Sequence, residues 1–130
     1  MLTLYFSPGA CSMAAHIVLE EGGEKYQSQQ VRLADGEQRS EAYLKINPQG
    51  RVPALVLDHG EAIAENTAIL PYLGKRFGLW PTDPVAEARA LSLIGFLATS
   101  SIRRTHVASR TLCHRRCRVS SNTGYGSQDV

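Results

Sequence analysis

Leu2, Leu4 and Phe6 alternate with Thr3 and Tyr5, the two-residue period of a strand. Ser7-Pro8-Gly9 ends it. From Cys11 to Glu21 apolar positions fall four apart, Met13 with Ile17, Ala14 with Val18 and Ala15 with Leu19, which predicts a helix stopped by Gly22-Gly23. Tyr26 to Leu33 reads as a more polar strand toward an edge of the sheet. Asp35-Gly36 turns the chain, and Glu37 to Ile46 reads as one short helix with Tyr43, Leu44 and Ile46 as its apolar residues, broken by Asn47-Pro48-Gln49-Gly50. Ala54 to Leu57 is a short apolar strand; Asp58-His59-Gly60 supplies turn chemistry, and a brief strand around Ala62 and Ile63 completes a hairpin.

A third helix, roughly Glu65 to Phe77, places Ile69, Leu73 and Phe77 on one face. It carries Pro71 inside, where the missing donor and the ring clash cost about 3 kcal/mol unless the helix kinks or its first turn absorbs the ring. Gly78 to Asp83 is a linker with Trp80-Pro81 as a stiff pair. Asp83 as N-cap and Pro84 at the first helical position then open a helix to about Ile102. Its two apolar faces, Leu91-Ile94-Ala98-Ile102 and Leu93-Leu97, expect neighbours on both sides. The order of elements needs a parallel pairing in its first βαβ half and an antiparallel one in the later hairpin. The predicted fold is therefore α/β, a four-stranded mixed sheet with flanking helices followed by a partial all-helical segment.

The 130 residues fit a single domain with a remnant, and no apolar run approaches a membrane span. The first residues lack the basic start and cleavage site of a secretion signal, so a cytoplasmic location is expected. Three cysteines without framework spacing argue against a disulfide scaffold. The net charge of +2 hides a break: residues 1–102 carry eight Lys or Arg against eleven Asp or Glu, net −3, and residues 103–130 carry six Arg and one Asp, net +5. That last segment has few large apolar residues and no helical or strand period, so a disordered or poorly packed tail is expected. Its arginines invite a nucleic-acid reading, but only Tyr125 offers a stacking ring and no nucleic-acid fold signature is present. Cys113, His114 and Cys117, with His106, are too loosely spaced for a zinc site, which would also need His16 or His59; no metal is expected.

Three segments carry candidate chemistry. Tyr5 to Ser12 puts hydroxyls and a thiol where a strand hands over to a helix, and the positive end of the helix dipole favours a thiolate there, on Cys11 or on a bound thiol. Ala14 stands where a dithiol motif would have its second Cys, so redox work by Cys11 would be monothiol. The competing reading of Cys11 is a small buried hydrophobe. Arg51-Val52-Pro53-Ala54 interrupts a strand start with proline: a cis Val52-Pro53 bond would turn the Val52 backbone outward to pair with an extended peptide, against the alternative of an ordinary strand-start proline. Glu65-Asn66-Thr67 opens a helix whose free N–H groups suit a carboxylate while Glu65 suits an ammonium, or else simply caps that helix. Together the three make the parts of a grip on a small γ-linked thiol tripeptide.

Ser7-Pro8-Gly9-Ala10-Cys11-Ser12, Asn47-Pro48-Gln49-Gly50-Arg51-Val52-Pro53-Ala54-Leu55 and Ile63-Ala64-Glu65-Asn66-Thr67-Ala68-Ile69 resemble, in order and spacing, the amino-terminal domain of the glutathione S-transferases in its bacterial, beta-like form. The resemblance implies a thioredoxin-like, glutathione-binding domain over residues 1–80, with residues 81–102 holding the first helix of the family's helical domain. It implies that Cys11 lies beside the glutathione sulfur, that Tyr5, Ser7 or Ser12 hydrogen-bonds the thiolate, and that Val52 pairs with the glutathione cysteine next to a cis Pro53. Glu65 and Asn66 become the γ-glutamyl clamp. The family more often has Ser at the Asn66 position, so retained but weaker binding is expected. Arg51 either meets the glycyl carboxylate or is a solvated surface residue.

Glutathione is then a substrate alongside a small electrophile, with no prosthetic group, in a detoxifying transferase that is a homodimer when intact. The pattern fails near Arg103, where the family often places a His, and an out-of-frame, truncated product after about residue 102 is the expectation, with turnover in doubt. Family-like helical sequence in another frame of the downstream DNA would support it. Two other function classes stand beside this one: a non-catalytic glutathione-binding or interaction module, and a basic-tailed nucleic-acid binder.

Overall fold

A computed structural model describes the backbone of residues 1–116 and the side chains of residues 1–100. Its elements are β1 (Thr3–Phe6), α1 (Met13–Gly22), β2 (Gln27–Gln30), a 3-10 turn (Glu37–Arg39), α2 (Glu41–Leu44), β3 (Ala54–Val56), β4 (Ala62–Ala64), α3 (Asn66–Arg76) and α4 (Pro84–Arg116). The sheet order is β2-β1-β3-β4. β1 runs parallel to β2, with Tyr5 opposite Gln29, and antiparallel to β3, with Tyr5 opposite Ala54; β3 and β4 form the antiparallel hairpin. This is the thioredoxin-like arrangement, a mixed four-stranded sheet with flanking helices.

Alternation along β1 sorts the side chains into two cores. Leu2 and Leu4, with Phe6 beside them, join Ala15 and Leu19 of α1, Leu55 and Leu57, and Ile69 and Leu73 of α3. Tyr5 turns to the opposite face, where Val31, Tyr43, Val52 and Ala54 form a second, smaller cluster with Ile46. The helices α1 and α3 therefore cover one face of the sheet and the α2 region the other. Gly22 lets α1 and α3 approach closely: a Cβ there would sit 2.3 Å from the Phe77 ring.

Three local expectations differ from the structure. In α1 the buried stripe is Ala15 and Leu19, whereas Met13 and Ile17 are each more than half exposed. Glu37 to Ile46 is not one helix: Ser40 is extended (φ −64°, ψ 148°), and its Oγ accepts from the Tyr43 N–H at 3.2 Å, so a serine cap splits the segment into the 3-10 turn and α2. Pro71 stays inside α3 as its sixth residue, so the ring is not absorbed in the first turn and the Thr67 carbonyl lacks the helical donor that position would supply.

At the end of the central strands remote from the β1–α1 turn, Arg76 pairs with both carboxylate oxygens of Glu24 (2.6 and 2.8 Å) and with Asp58 (3.0 Å), and Asp58 also holds the Met1 ammonium at 2.7 Å. The ammonium first and Arg76 second hold the Asp58 carboxyl below its usual range. Asp83 caps α4 as expected, accepting from Ala86 N–H at 2.8 Å. Glu87 pairs with Lys75 at 2.8 Å and accepts from Trp80 Nε1 at 3.0 Å; the Lys75 ammonium first and the indole N–H second hold its carboxyl below the usual range.

The chain divides into a unit spanning Met1–Gly95 and a second from Phe96 onward, with α4 belonging to both. Leu91 and Leu93 in the first unit are 45% and 60% exposed, so the neighbours that α4's apolar faces call for are not supplied there. In the second unit α4 continues past Ile102 to Arg116. No Gly or Pro interrupts residues 103–116, and Arg, Ala and Leu are good helix formers, so backbone propensity carries the helix where the apolar period stops. The remainder of the segment expected to be disordered, residues 117–130, lies outside the described residues. Among the described residues no helix is long and apolar enough to cross a membrane.

Candidate functional site

The turn from β1 into α1 is closed by a serine pair. Ser12 is completely buried and Ser7 nearly so; the Ser7 N–H donates to Ser12 Oγ, and the Ser12 hydroxyl donates back to the Ser7 carbonyl, both at 3.1 Å. Gly9, at φ +72°, makes the left-handed bend between them that a side chain would resist. The result is a tight loop that leaves Cys11 exposed at the N-terminus of α1. The Met13 and Ala14 N–H groups return to Ala10 and Cys11 carbonyls, while those of Cys11 and Ser12 have no backbone acceptor among the described residues.

Cys11 connects all three segments singled out in the sequence. Its Sγ donates to the Val52 carbonyl at 3.3 Å, and its own carbonyl accepts from Asn66 Nδ2 at 2.8 Å, contacts that span 41 and 55 residues of chain. The Val52-Pro53 bond is cis. Val52 and Pro53 are buried against the second cluster. Glu65, exposed at the start of α3, has φ +69°, ψ 133°, the one non-glycine residue at positive φ among those described. Such a conformation costs about 1–3 kcal/mol and persists where surrounding structure holds it. The Glu65 carbonyl receives the Ala68 and Ile69 N–H groups, so those of Asn66 and Thr67 face outward at the helix start.

The remaining candidates stand apart from this point. Tyr5 packs edge-on to Tyr43 with ring centroids 5.8 Å apart and, with Gln29, Glu37, Ser40 and Ile46, lines a cavity of about 230 Å³ on the α2 face. The Arg51 side chain is exposed. Its carbonyl, however, is gripped twice, by Tyr43 Oη at 2.7 Å and by Asn47 Nδ2 at 2.8 Å. Burial raises the Tyr43 phenol, which keeps it a donor. Tyr43 and Asn47 are thus the residues that hold the Arg51-Val52 backbone in place, and neither was singled out from the sequence. In the sequence Asn47 stands as turn chemistry and at the head of the Asn47–Leu55 stretch, with no sign of this grip; its Oδ1 accepts from the Gln49 N–H at 3.1 Å. Nothing local to Tyr43 marks it. No cluster of metal-ligating side chains occurs among the described residues, and the tail residues Cys113, His114 and Cys117, with His106, have no described side chains.

A mixed four-stranded sheet in the order β2-β1-β3-β4 with helices on both faces defines a thioredoxin-like domain, and an exposed thiol, a helix start led by a carboxylate and a backbone segment beside a cis proline lie together on it. Comparison with known proteins narrows the class. Residues 8–76 match the glutathione S-transferase amino-terminal domain model. Glutathione S-transferase GstA of Escherichia coli O157:H7 is 34% identical over 103 residues, covering 75% of this chain and 51% of that protein. Maleylacetoacetate isomerase of Pseudomonas aeruginosa is 41% identical over 103 residues, covering 75% and 48%. A crystal structure of a glutathione transferase homolog from Sulfitobacter, with bound glutathione, superposes with a TM-score of 0.71 at 46% identity, covering 75% of this chain and 49% of that one. The chain belongs to the glutathione S-transferase family. It spans about half the length of the curated relatives it matches.

Proposed function

We propose that the Met1–Gly95 unit binds glutathione across the Cys11, Val52 and Glu65 segments and, in a complete site, activates its thiol for attack on a small electrophile or for thiol–disulfide exchange. The observation that carries this reading is the meeting of three distant segments at Cys11, through hydrogen bonds of 3.3 Å to Val52 and 2.8 Å from Asn66. The glutathione in the Sulfitobacter relative supports it.

In this reading the α-carboxylate of the γ-glutamyl group meets the outward N–H groups at the start of α3, and its ammonium meets Glu65. The cysteinyl backbone pairs with Val52 as a short added strand. The sulfur then lies beside Cys11 at the N-terminus of α1, where the Cys11 and Ser12 N–H groups and the helix dipole stabilise a thiolate. Ser12 is committed to Ser7 through two hydrogen bonds, and Tyr5 is packed on Tyr43, so Cys11 and the backbone donors around it carry the thiolate role. In conjugation the thiol proton passes to solvent, the thiolate forms a C–S bond, and the leaving group departs with its electron pair. In exchange, the thiolate attacks one sulfur of a disulfide and the other leaves as a thiolate.

Calorimetric titration with glutathione, paired with a conjugation assay on an activated aryl halide, tests the proposal. Saturable binding with turnover is expected for the full reading. Binding without turnover leaves a glutathione-binding module, and absence of binding overturns both.

A further inference from the structure

Asn66 leads α3, yet its side chain reaches away from that helix to another one. Nδ2 donates at 2.8 Å to the carbonyl of Cys11, the residue just before the N-cap of α1. The amide can be oriented only this way, because turning it would set Oδ1 against a carbonyl oxygen. Oδ1 is shielded from solvent and meets no donor among the described residues. A buried amide oxygen without a partner is a cost, so the bond on the nitrogen side has to be what the position is for. The adjacent Glu65 is held at φ +69°. A strained residue and a half-satisfied amide therefore stand side by side where α3 meets the thiol turn.

We propose that the Asn66 side chain acts as a positioning group that fixes the Cys11 turn relative to the start of α3, and not as a direct ligand of the γ-glutamyl head group, which meets Asn66 only through its backbone N–H. This rests on the glutathione reading for its ligand-based test but not for its geometry. The head-group clamp and the sulfur site sit on different helices, and the short ligand must reach both at once. The distance between them is set by what ties Cys11 to α3. With Asn66 in place, the Cys11 carbonyl is held from α3 while its Sγ is held by the Val52 carbonyl, so the thiol has little freedom to drift from either. Without the amide, the turn keeps its serine brace but loses its registration on α3.

The test compares glutathione with its thiol-less analogue, in which the cysteine is replaced by 2-aminobutyrate, by calorimetry on the full chain and its Asn66→Ala and Asn66→Asp variants. Positioning predicts that the variants reduce the affinity advantage of glutathione over the analogue by at least threefold and change affinity for the analogue less than twofold. An equal loss for both ligands would show head-group contact and overturn the proposal, as would no loss for either. A ligand-free measurement covers the case in which the wild-type chain binds neither ligand, which would sink the functional reading by itself. With Cys113→Ser and Cys117→Ser as background, the pH profile of Cys11 alkylation by iodoacetamide is recorded with and without Asn66→Ala. A change in rate of threefold or more, with circular dichroism preserved, supports the positioning role; an unaltered profile refutes it.

Discussion

Replacing Ser12 with alanine separates a structural hydroxyl from a catalytic one. Ser12 is fully buried, and its Oγ both accepts from the Ser7 N–H and donates to the Ser7 carbonyl at 3.1 Å. In Ser12→Ala the Ser7 carbonyl keeps a second donor, the Ala10 N–H at 3.2 Å, but the Ser7 N–H has none. A stranded buried donor costs about 1–3 kcal/mol, and the lost hydroxyl bond adds about 0.5–1.5 kcal/mol. The expected destabilisation is about 1.5–4.5 kcal/mol. For a small unit with a urea dependence of about 1 kcal/mol/M, the unfolding midpoint falls by roughly 1.5 M or more. Below the transition, the thiol acidity of bound glutathione, followed by its ultraviolet thiolate absorbance against pH, is expected to be unchanged. A variant that kept its stability to within about 0.5 kcal/mol while the bound thiol became less acidic would refute the reasoning and return Ser12 to the catalytic set.

Glu65→Gln removes the one negative charge at the proposed ammonium site; a charge-assisted bond of about 1.5–3 kcal/mol corresponds to a loss of roughly ten- to a hundredfold in glutathione affinity by calorimetry. Gly22→Ala improves helix propensity by about 1 kcal/mol. Its methyl, though, would lie 2.3–2.5 Å from three atoms of the Phe77 ring, so expulsion of that ring, at about 1.5–3 kcal/mol of lost burial, makes the variant less stable overall by urea denaturation. The Asp58 carboxyl is held below its usual range in the folded state, by the Met1 ammonium first and Arg76 second. Its contribution is therefore present above the unfolded value of about 3.9 and disappears as pH falls through the folded one. Melting temperatures of wild type and Asp58→Asn, measured from neutral pH downward, should converge in that acid range; a constant gap would contradict the assignment.

The parts of this fold that were legible in the sequence are those set by short-range rules. The alternation of Leu2, Leu4 and Phe6 fixes one strand of the sheet, the Asp58-His59-Gly60 turn fixes its hairpin, and Asp83-Pro84 fixes the start of α4, because each depends on neighbours within a few residues. The boundary inside 37–46 was missed although Ser40 is a good cap, since the apolar residues Tyr43, Leu44 and Ile46 fit one helix equally well until the extended backbone of Ser40 is seen. The choice between the stripes of α1 was also invisible. Met13 with Ile17 and Ala15 with Leu19 have the same spacing, and only the approach of α3 at Gly22 decides which one is covered.

The candidate site shows the same division at longer range. The sequence could name Cys11, Val52 and Glu65 from local chemistry, but their relation is carried by bonds across 41 and 55 residues that no periodicity encodes. The residues that make the relation rigid are the less conspicuous ones. Tyr43 and Asn47 both grip the Arg51 carbonyl and so fix the backbone presenting Val52, and Ser7 with Ser12 fixes the turn presenting Cys11. Each of these side chains spends its hydrogen bonds on backbone in a buried or half-buried setting, where a lost partner is costly. That is why the exposed Cys11 and Glu65 can occupy geometries that local propensity alone would not select. The groups proposed to meet the ligand can stand exposed because the polar groups behind them are held.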